Sequence, residues 1–304
     1  MATIQQKIIP HLWFDGSAEQ AGRTYAELLP NARVGHVGRY TEAGCEQHRQ
    51  PPGSVMSMEV MLDGYLMVLI NGGPVFRPTP ALSYFVMFEQ QADLDRAWQR
   101  LADGGTVMMP LERYDWSPHY GWLSDRYGVS WQLSLGTRAD VGGAAVVPSL
   151  LFTRSMAGRA EEALRHYVSL FPDSNIEGIL PHDGSGPDAK GTAMHAQFQL
   201  AGQTFMAMDS AEAHDFGFTV ATSLMVLCDT QAEVDHYWQA LSAVPEAEAC
   251  GWLKDRYGVS WQITPRALID GLKDPDPAVM QRVMETFLPM KKLDVAALER
   301  ARKK

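Results

Sequence analysis

Short runs of alternating apolar and polar residues make up most of the chain, and segments with apolar residues at helical spacing interrupt them. The run IIPHLWF (8–14) is typical of a strand, and the apolar spacing over 18–28 indicates a helix. Three further strands are predicted near residues 33–40, 55–62 and 65–71. The last two are joined by Asp63-Gly64, a strong hairpin signal. The first 71 residues therefore predict a βαβββ module.

The same order of elements starts again at residue 82. Residues 82–89 are strand-like, and Leu94, Ala97 and Leu101 mark a helix. Three strands are predicted after it, near residues 106–111, 119–124 and 129–135. The pattern therefore predicts a second βαβββ module directly after the first.

A long internal repeat runs through the sequence. GWLSDRYGVSWQL (121–133) and GWLKDRYGVSWQI (251–263) are identical at eleven of thirteen positions. Upstream segments match in the same order: 25–31 with 167–173, 56–64 with 194–202, and 88–101 with 228–241. Self-similarity of this kind indicates a duplicated unit. The chain therefore contains two homologous copies of two modules each.

The repeat and the helical pattern after it predict three regions. Two domains are expected at 1–138 and 146–265, joined by the Gly/Ala-rich linker 137–147. The second copy is ten residues shorter between its second helix and the GWL motif, so one strand of its last module is expected to be clipped. The C-terminal extension 266–304 is predicted to be helical, with Asp276 and Asp294 as N-caps. We expect this extension to pack on the body or on a partner chain.

Composition narrows the class of protein. The net charge is −10 and the isoelectric point about 5.4, which argues against nucleic-acid and anionic-membrane partners. No stretch of about 18 uncharged apolar residues is present, so no membrane span is expected. The three cysteines, Cys45, Cys228 and Cys250, are widely spaced and form no CxxC motif. A cytoplasmic protein without a disulfide framework is therefore predicted.

The motifs PHLWFDG, YxxLxP and GWLxDRYGVSWQ resemble those of the 3-demethylubiquinone-9 3-methyltransferase-like (PhnB-like) family of the vicinal oxygen chelate superfamily. That superfamily includes glyoxalase I and bleomycin-resistance proteins. The resemblance covers residues 5–265, and each of the two copies shows it. It implies an α+β fold of tandem glyoxalase-like domains, each of two βαβββ modules that form a curled mixed sheet around a cavity. It also implies that helices cover the outer face of each sheet.

The resemblance also directs attention to metal ligands. In metal-dependent relatives a glutamate of the last strand binds a divalent metal, and Gln132 and Gln262 stand at that position here. A neutral amide is a weaker ligand than a carboxylate. The first-strand histidine of such relatives falls near Pro10 and Pro148, with His11 adjacent in the first copy only. The cofactor is therefore left unknown, with a divalent metal open but not favoured.

The second copy has candidates of its own. His195 lies on the predicted strand MHAQFQL, and Asp209 ends the next strand. Together they could form an acid–base pair or two ligands of an atypical metal site. Ser57 and Asn71 stand at these positions in the first copy, so such a site would exist once. A hydrogen-bonded structural histidine is the alternative.

Residues for ligand binding are predicted from strand alternation. Trp131 and Trp261 are expected in the core under the helices, which turns Gln132 and Gln262 toward the cavity. Three aromatic residues are candidates to line or close the cavity, or else to pack: Trp13, Phe14 and Trp122.

Three functions stay open. The favoured one is binding of a small, partly aromatic or hydrophobic molecule in a sheet cavity without the usual metal triad, with a homodimer left open. The alternative is a divalent-metal-dependent lyase, isomerase or dioxygenase that uses His195 and Asp209. A structural or regulatory module is the third. Methyl transfer is not expected, because no glycine-rich loop follows a strand and opens a helix as a Rossmann-type methyltransferase requires.

Overall fold

The computed structural model describes residues 6–42 and 50–303, and Cys45 lies outside this part. The described residues form fifteen strands and seven α-helices. The strands are β1 Ile8–Phe14, β2 Arg33–Arg39, β3 Val55–Leu62, β4 Tyr65–Asn71, β5 Leu82–Phe88, β6 Thr106–Tyr114, β7 Ser117–Ser124, β8 Ser130–Leu135, β9 Val146–Thr153, β10 Asn175–Pro181, β11 Ala193–Leu200, β12 Gln203–Ser210, β13 Thr222–Cys228, β14 Trp252–Lys254 and β15 Ser260–Pro265. The helices are α1 Ala18–Tyr25, α2 Gln91–Ala102, α3 Ala160–Leu170, α4 Gln231–Leu241, α5 Arg266–Leu272, α6 Pro277–Phe287 and α7 Val295–Lys303.

Four modules follow one another along the chain. The first three each consist of a strand, a helix and three strands. The fourth consists of β13, α4, the three-residue β14 and β15, so the described residues contain no counterpart of β6 there. The predicted order of elements and the clipped strand of the last module are confirmed.

The four modules pair into two mixed sheets. The seven-stranded sheet has the order β14-β15-β13-β1-β4-β3-β2, and the eight-stranded sheet has the order β10-β11-β12-β9-β5-β8-β7-β6. The antiparallel pair β1–β13 joins the first module to the fourth. The antiparallel pair β5–β9 joins the second to the third. The modules that share a sheet therefore come from different copies of the repeat, although the prediction grouped them within one copy.

The helix-facing sides of both sheets merge into one hydrophobic core. This core contains residues of both sheets and of α1 to α4. Trp131 on β8 and Trp261 on β15 are fully buried in it, as the alternation predicted. The opposite face of each sheet is concave and carries the candidate sites.

A buried aspartate in the repeated DRYG motif connects the first two modules. The Asp125 carboxylate accepts hydrogen bonds from the Tyr25 hydroxyl at 2.6 Å and from Trp131 Nε1 at 2.9 Å. It also accepts bonds from the backbone N–H groups of Tyr127 and Val129. Tyr25 belongs to α1 and Trp131 to β8, so this single carboxylate joins elements that pack on different sheets.

The second copy repeats the same arrangement. The Asp255 carboxylate accepts hydrogen bonds from the Tyr167 hydroxyl at 2.6 Å, from Trp261 Nε1 at 2.8 Å, and from the backbone N–H groups of Tyr257 and Val259. Burial raises the pKa of Asp255, and the four donors act in the opposite direction. The most recognisable motif of the sequence therefore holds the two sheets together.

The C-terminal extension packs on the body of the chain. Asp276 accepts a hydrogen bond from the N–H of Ala278 and Asp294 from that of Ala297, which confirms both predicted caps. The Gln231 side chain of α4 bonds to the backbone on both sides of Asp294. Within residues 6–42 and 50–303, none of the helices has the length and apolar character needed to cross a membrane.

Candidate functional site

The concave face of the seven-stranded sheet encloses a cavity of about 210 Å³. Alternation along β1 turns Ile8 and Leu12 into the main core, so Ile9 and His11 face the cavity. The apolar part of its wall includes Ile9, Leu66, Val68, Ile70, Met225 and Phe287. A wall of this composition favours a ligand with apolar surface.

His11 is the most unusual polar residue of the cavity. Its side chain is buried, and neither ring nitrogen has a hydrogen-bond partner among the described residues. Burial lowers the pKa of His11 to about 3, so the imidazole is neutral at physiological pH. A neutral imidazole has one N–H donor and one acceptor, and in His11 both are buried without a partner among the described residues.

Gln262 lies close by on β15. Its Nε2 donates to Ser223 Oγ at 2.9 Å, and Ser223 on β13 is also the register partner of His11 on β1. His11 and Gln262 therefore stand on the two strands that flank β13, one from each copy of the repeat. Sequence reasoning missed this pair because it sought ligands within a single copy and because all residues from Ile8 to Leu12 are buried, which hides the alternation.

The C-terminal extension closes the cavity. Leu268 and Ile269 of α5 and Phe287 of α6 contribute to its wall. At the rim, Lys273 Nζ donates to Glu59 Oε1 of β3 in a half-buried ion pair. The extension therefore forms part of the cavity wall, next to a sheet whose fourth module is one strand shorter than the others.

The concave face of the eight-stranded sheet carries a cluster of the protein's own aromatic side chains. The β6–β7 hairpin, which the fourth module lacks, places Tyr114 and Trp116 in a stacked pair with ring centroids 4.9 Å apart. Tyr120 meets both rings edge-on and stacks on Phe85 at 6.5 Å. The Tyr120 hydroxyl donates to Gln132 Oε1 at 2.7 Å. The two concave faces therefore differ, because one borders a cavity and the other carries an aromatic cluster.

The predicted ligand-binding residues fall in different surroundings. Gln262 lines the cavity, whereas Gln132 is bonded to Tyr120. Trp13 makes an edge-to-face contact with Trp252, a cavity residue, with ring centroids 6.2 Å apart. Phe14 points to the other face and packs in the main core, which does not favour contact with a ligand.

The third aromatic candidate, Trp122, lies on the eight-stranded sheet. It pairs with Gln132 in the strand register and donates Nε1–H to Ser130 Oγ at 2.8 Å. Ligand binding by these side chains stays a prediction.

No hydrogen bond joins His195 to Asp209 in the described part of the chain. The Asp209 carboxylate accepts three backbone N–H bonds, from Gly158, Ala160 and Ala193, at 2.8 to 3.0 Å. This carboxylate thus caps the start of α3. Burial lowers the pKa of His195. Catalytic roles for both residues stay predictions, with the geometry favouring a structural role for Asp209.

A substitution series at Asp209 tests the capping role. We expect Asp209→Ala to lower the free energy of unfolding by about 1–3 kcal/mol, because three N–H groups lose their acceptor. Asp209→Asn should cost about half as much, since Oδ1 can keep its bonds to Gly158 and Ala160. Urea unfolding followed by circular dichroism measures both. Equal stability of Asp209→Ala and the unaltered protein would contradict the capping role.

The side chains present do not fit the metal site of metal-dependent relatives. Among residues 6–42 and 50–303, no group of three or more His, Cys, Asp or Glu side chains could hold a metal ion. The cavity is lined by His11, His36, Glu59 and Cys250 and by the neutral amide of Gln262. Glu59 is engaged by Lys273, and the Cys250 thiol donates to the carbonyl of Leu288. We therefore derive no chemistry through a metal.

Paired βαβββ modules that form curled mixed sheets define a glyoxalase-like protein. A glyoxalase I variant from Zea mays matches 85% of this chain and 94% of its own length, with 8% identity and a TM-score of 0.51, a likeness of fold alone. A PhnB protein from Bacillus cereus is 35% identical over 43% of this chain and 100% of its own, with a TM-score of 0.40. A protein from Pseudomonas aeruginosa is 21% identical over 43% and 98%, with a TM-score of 0.36.

The family follows from the sequence match. The family model described as 3-demethylubiquinone-9 3-methyltransferase matches residues 6–134 and again residues 144–264. The chain therefore belongs to this family. A search of curated protein sequences found no match to this chain.

Proposed function

We propose that the protein binds a small, partly aromatic molecule in the cavity of the seven-stranded sheet. The observation that supports this most is the buried His11, which has no partner among the described residues and faces an otherwise largely apolar space. Leaving a buried polar group unpaired costs about 1–3 kcal/mol, and a bound ligand would remove that cost. A largely apolar pocket with a few polar groups, here including His11 and Gln262, is the usual composition of a small-molecule site.

The size of the cavity limits the ligand. An apolar cavity of about 150 Å³ holds benzene in another protein, so about 210 Å³ leaves room for a ring with one or two substituents. The acidic net charge and the neutral His11 offer little attraction to an anionic ligand. A small neutral molecule therefore suits this site better than a charged metabolite.

Titration with toluene and with p-cresol, followed by calorimetry, tests this proposal. We expect one saturable site per chain for at least one of the two. Val68→Phe places a ring in the cavity wall and should weaken binding at least tenfold, because the same volume cannot hold both rings.

The control for this variant adds a ring elsewhere. Val107→Phe introduces the same side chain on the exposed β6, outside the cavity, and should leave the affinity unchanged. No saturable binding of either molecule to the unaltered protein, or equal binding to Val68→Phe, would refute the proposal.

A further inference from the structure

The two concave faces carry the same glutamine–serine pair. Gln132 Nε2 donates to Ser83 Oγ at 2.7 Å, and Gln262 Nε2 donates to Ser223 Oγ at 2.9 Å. Each pair lies on two neighbouring parallel strands, β5 with β8 and β13 with β15. The serine thus fixes the orientation of the amide in both sheets, and each Oε1 is left as an acceptor.

In the eight-stranded sheet this acceptor has an internal occupant. The Tyr120 hydroxyl donates to Gln132 Oε1 at 2.7 Å. The Tyr120 side chain is buried, and its ring stacks on Phe85 with an interplanar angle of 29°. The phenol ring of Tyr120 therefore lies against Phe85, and its hydroxyl satisfies the amide oxygen of Gln132.

In the seven-stranded sheet the same acceptor has no such occupant. The repeat places Cys250, directly before the GWL motif, where Tyr120 stands, and the Cys250 thiol donates to the carbonyl of Leu288. Met225 stands where Phe85 stands. No described residue donates a hydrogen bond to Gln262 Oε1, and the cavity occupies the space in front of it.

We infer that the ligand of this cavity carries a phenolic hydroxyl, which donates to Gln262 Oε1 while the ring lies against Met225. The inference rests on the proposed binding of a small aromatic molecule in the same cavity. A thioether is a favourable contact for an aromatic ring. Burial lowers the pKa of both His11 and His36, and Lys273 is paired with Glu59, so the described cavity residues offer little positive charge to favour a phenolate. The ligand is therefore bound as the neutral phenol.

Three ring compounds of similar size separate the contribution of the hydroxyl from that of the ring. p-Cresol can donate a hydrogen bond, 4-methylanisole can only accept one, and toluene does neither. We expect the unaltered protein to bind p-cresol about five- to tenfold more tightly than the other two, the factor that one additional hydrogen bond supplies. Calorimetry at pH 7 measures all three affinities, and the comparison needs no variant.

A matched pair of variants locates the acceptor. Gln262→Met should abolish the preference for p-cresol while toluene still binds. Gln132→Met changes the equivalent residue of the other sheet and should leave the preference intact. If p-cresol and 4-methylanisole bind equally to the unaltered protein, or if the preference survives in Gln262→Met, the phenol inference is wrong although the cavity still binds ligands. If none of the three compounds binds, the proposed function fails as well.

Discussion

Asp255→Ala is expected to lower the free energy of unfolding by about 3–5 kcal/mol, because four buried donors lose their common acceptor. Two of these donors belong to the large buried side chains of Tyr167 and Trp261. The substitution also disconnects α3, which packs on the eight-stranded sheet, from β15 of the seven-stranded sheet. Urea unfolding followed by circular dichroism measures the effect.

Two further variants make this result interpretable. Tyr167→Phe removes one donor only and should cost about 1–2 kcal/mol. Asp103→Ala removes an exposed carboxylate that is paired with Arg126 and should change stability by less than about 1 kcal/mol. If Asp255→Ala destabilises no more than Asp103→Ala, the hydrogen bonds of Asp255 between the two sheets do not contribute to stability.

The second large effect is on the pH dependence of the free energy of unfolding. We expect the free energy of unfolding to fall by about 2–3 kcal/mol more in the unaltered protein than in His11→Leu between pH 7.5 and 4.5. The folded-state pKa of His11 is about 3, below the ordinary value of 6.5. The unfolded chain therefore takes up the proton first. The stability contributed by the neutral histidine is complete above pH 6.5 and is lost as the pH falls toward 3.

Other groups near the cavity require a control. His36, Glu59, Cys250 and Lys273 also line it, and all four are present in both the unaltered protein and His11→Leu. His236→Gln changes an exposed histidine and should retain the pH dependence of the unaltered protein. Nuclear magnetic resonance of the imidazole gives a direct measurement. An imidazole of His11 that titrates near pH 6.5 would show that it is not held in a dry cavity.

Much of the fold could be predicted because its signals are local. Alternation, helical spacing and the hairpin at Asp63-Gly64 located the strands and helices of the modules, and the repeat revealed their duplication. The pairing of β1 with β13 could not be read in this way, because residues more than 200 positions apart meet there without any local signal. Periodicity defines which face a residue takes, but not which module lies beside it.

The candidate site was predictable only in part, for the same reason. Gln262 was placed toward a cavity by its alternation with Trp261, and the structure puts it there. His11 was noticed only as a neighbour of a matched position, since its partner Gln262 lies in the other copy. Asp209 suggested acid–base chemistry because it ends the strand that follows the one with His195. In the structure its carboxylate oxygens accept bonds from backbone N–H groups. The sequence alone does not show whether the hydrogen-bond partners of a buried carboxylate are side chains or backbone N–H groups.

The exchange of modules between the two copies makes this chain a covalent equivalent of a domain-swapped dimer. A single copy alone would contribute one half to each of two sheets, so it would need a second copy to complete either one. In an assembly of two identical chains, every substitution would alter both concave faces at once. Joining the copies in one chain removes that constraint. One face can then carry the aromatic residues of the β6–β7 hairpin, which stabilise the fold. The other face can change independently to suit a ligand.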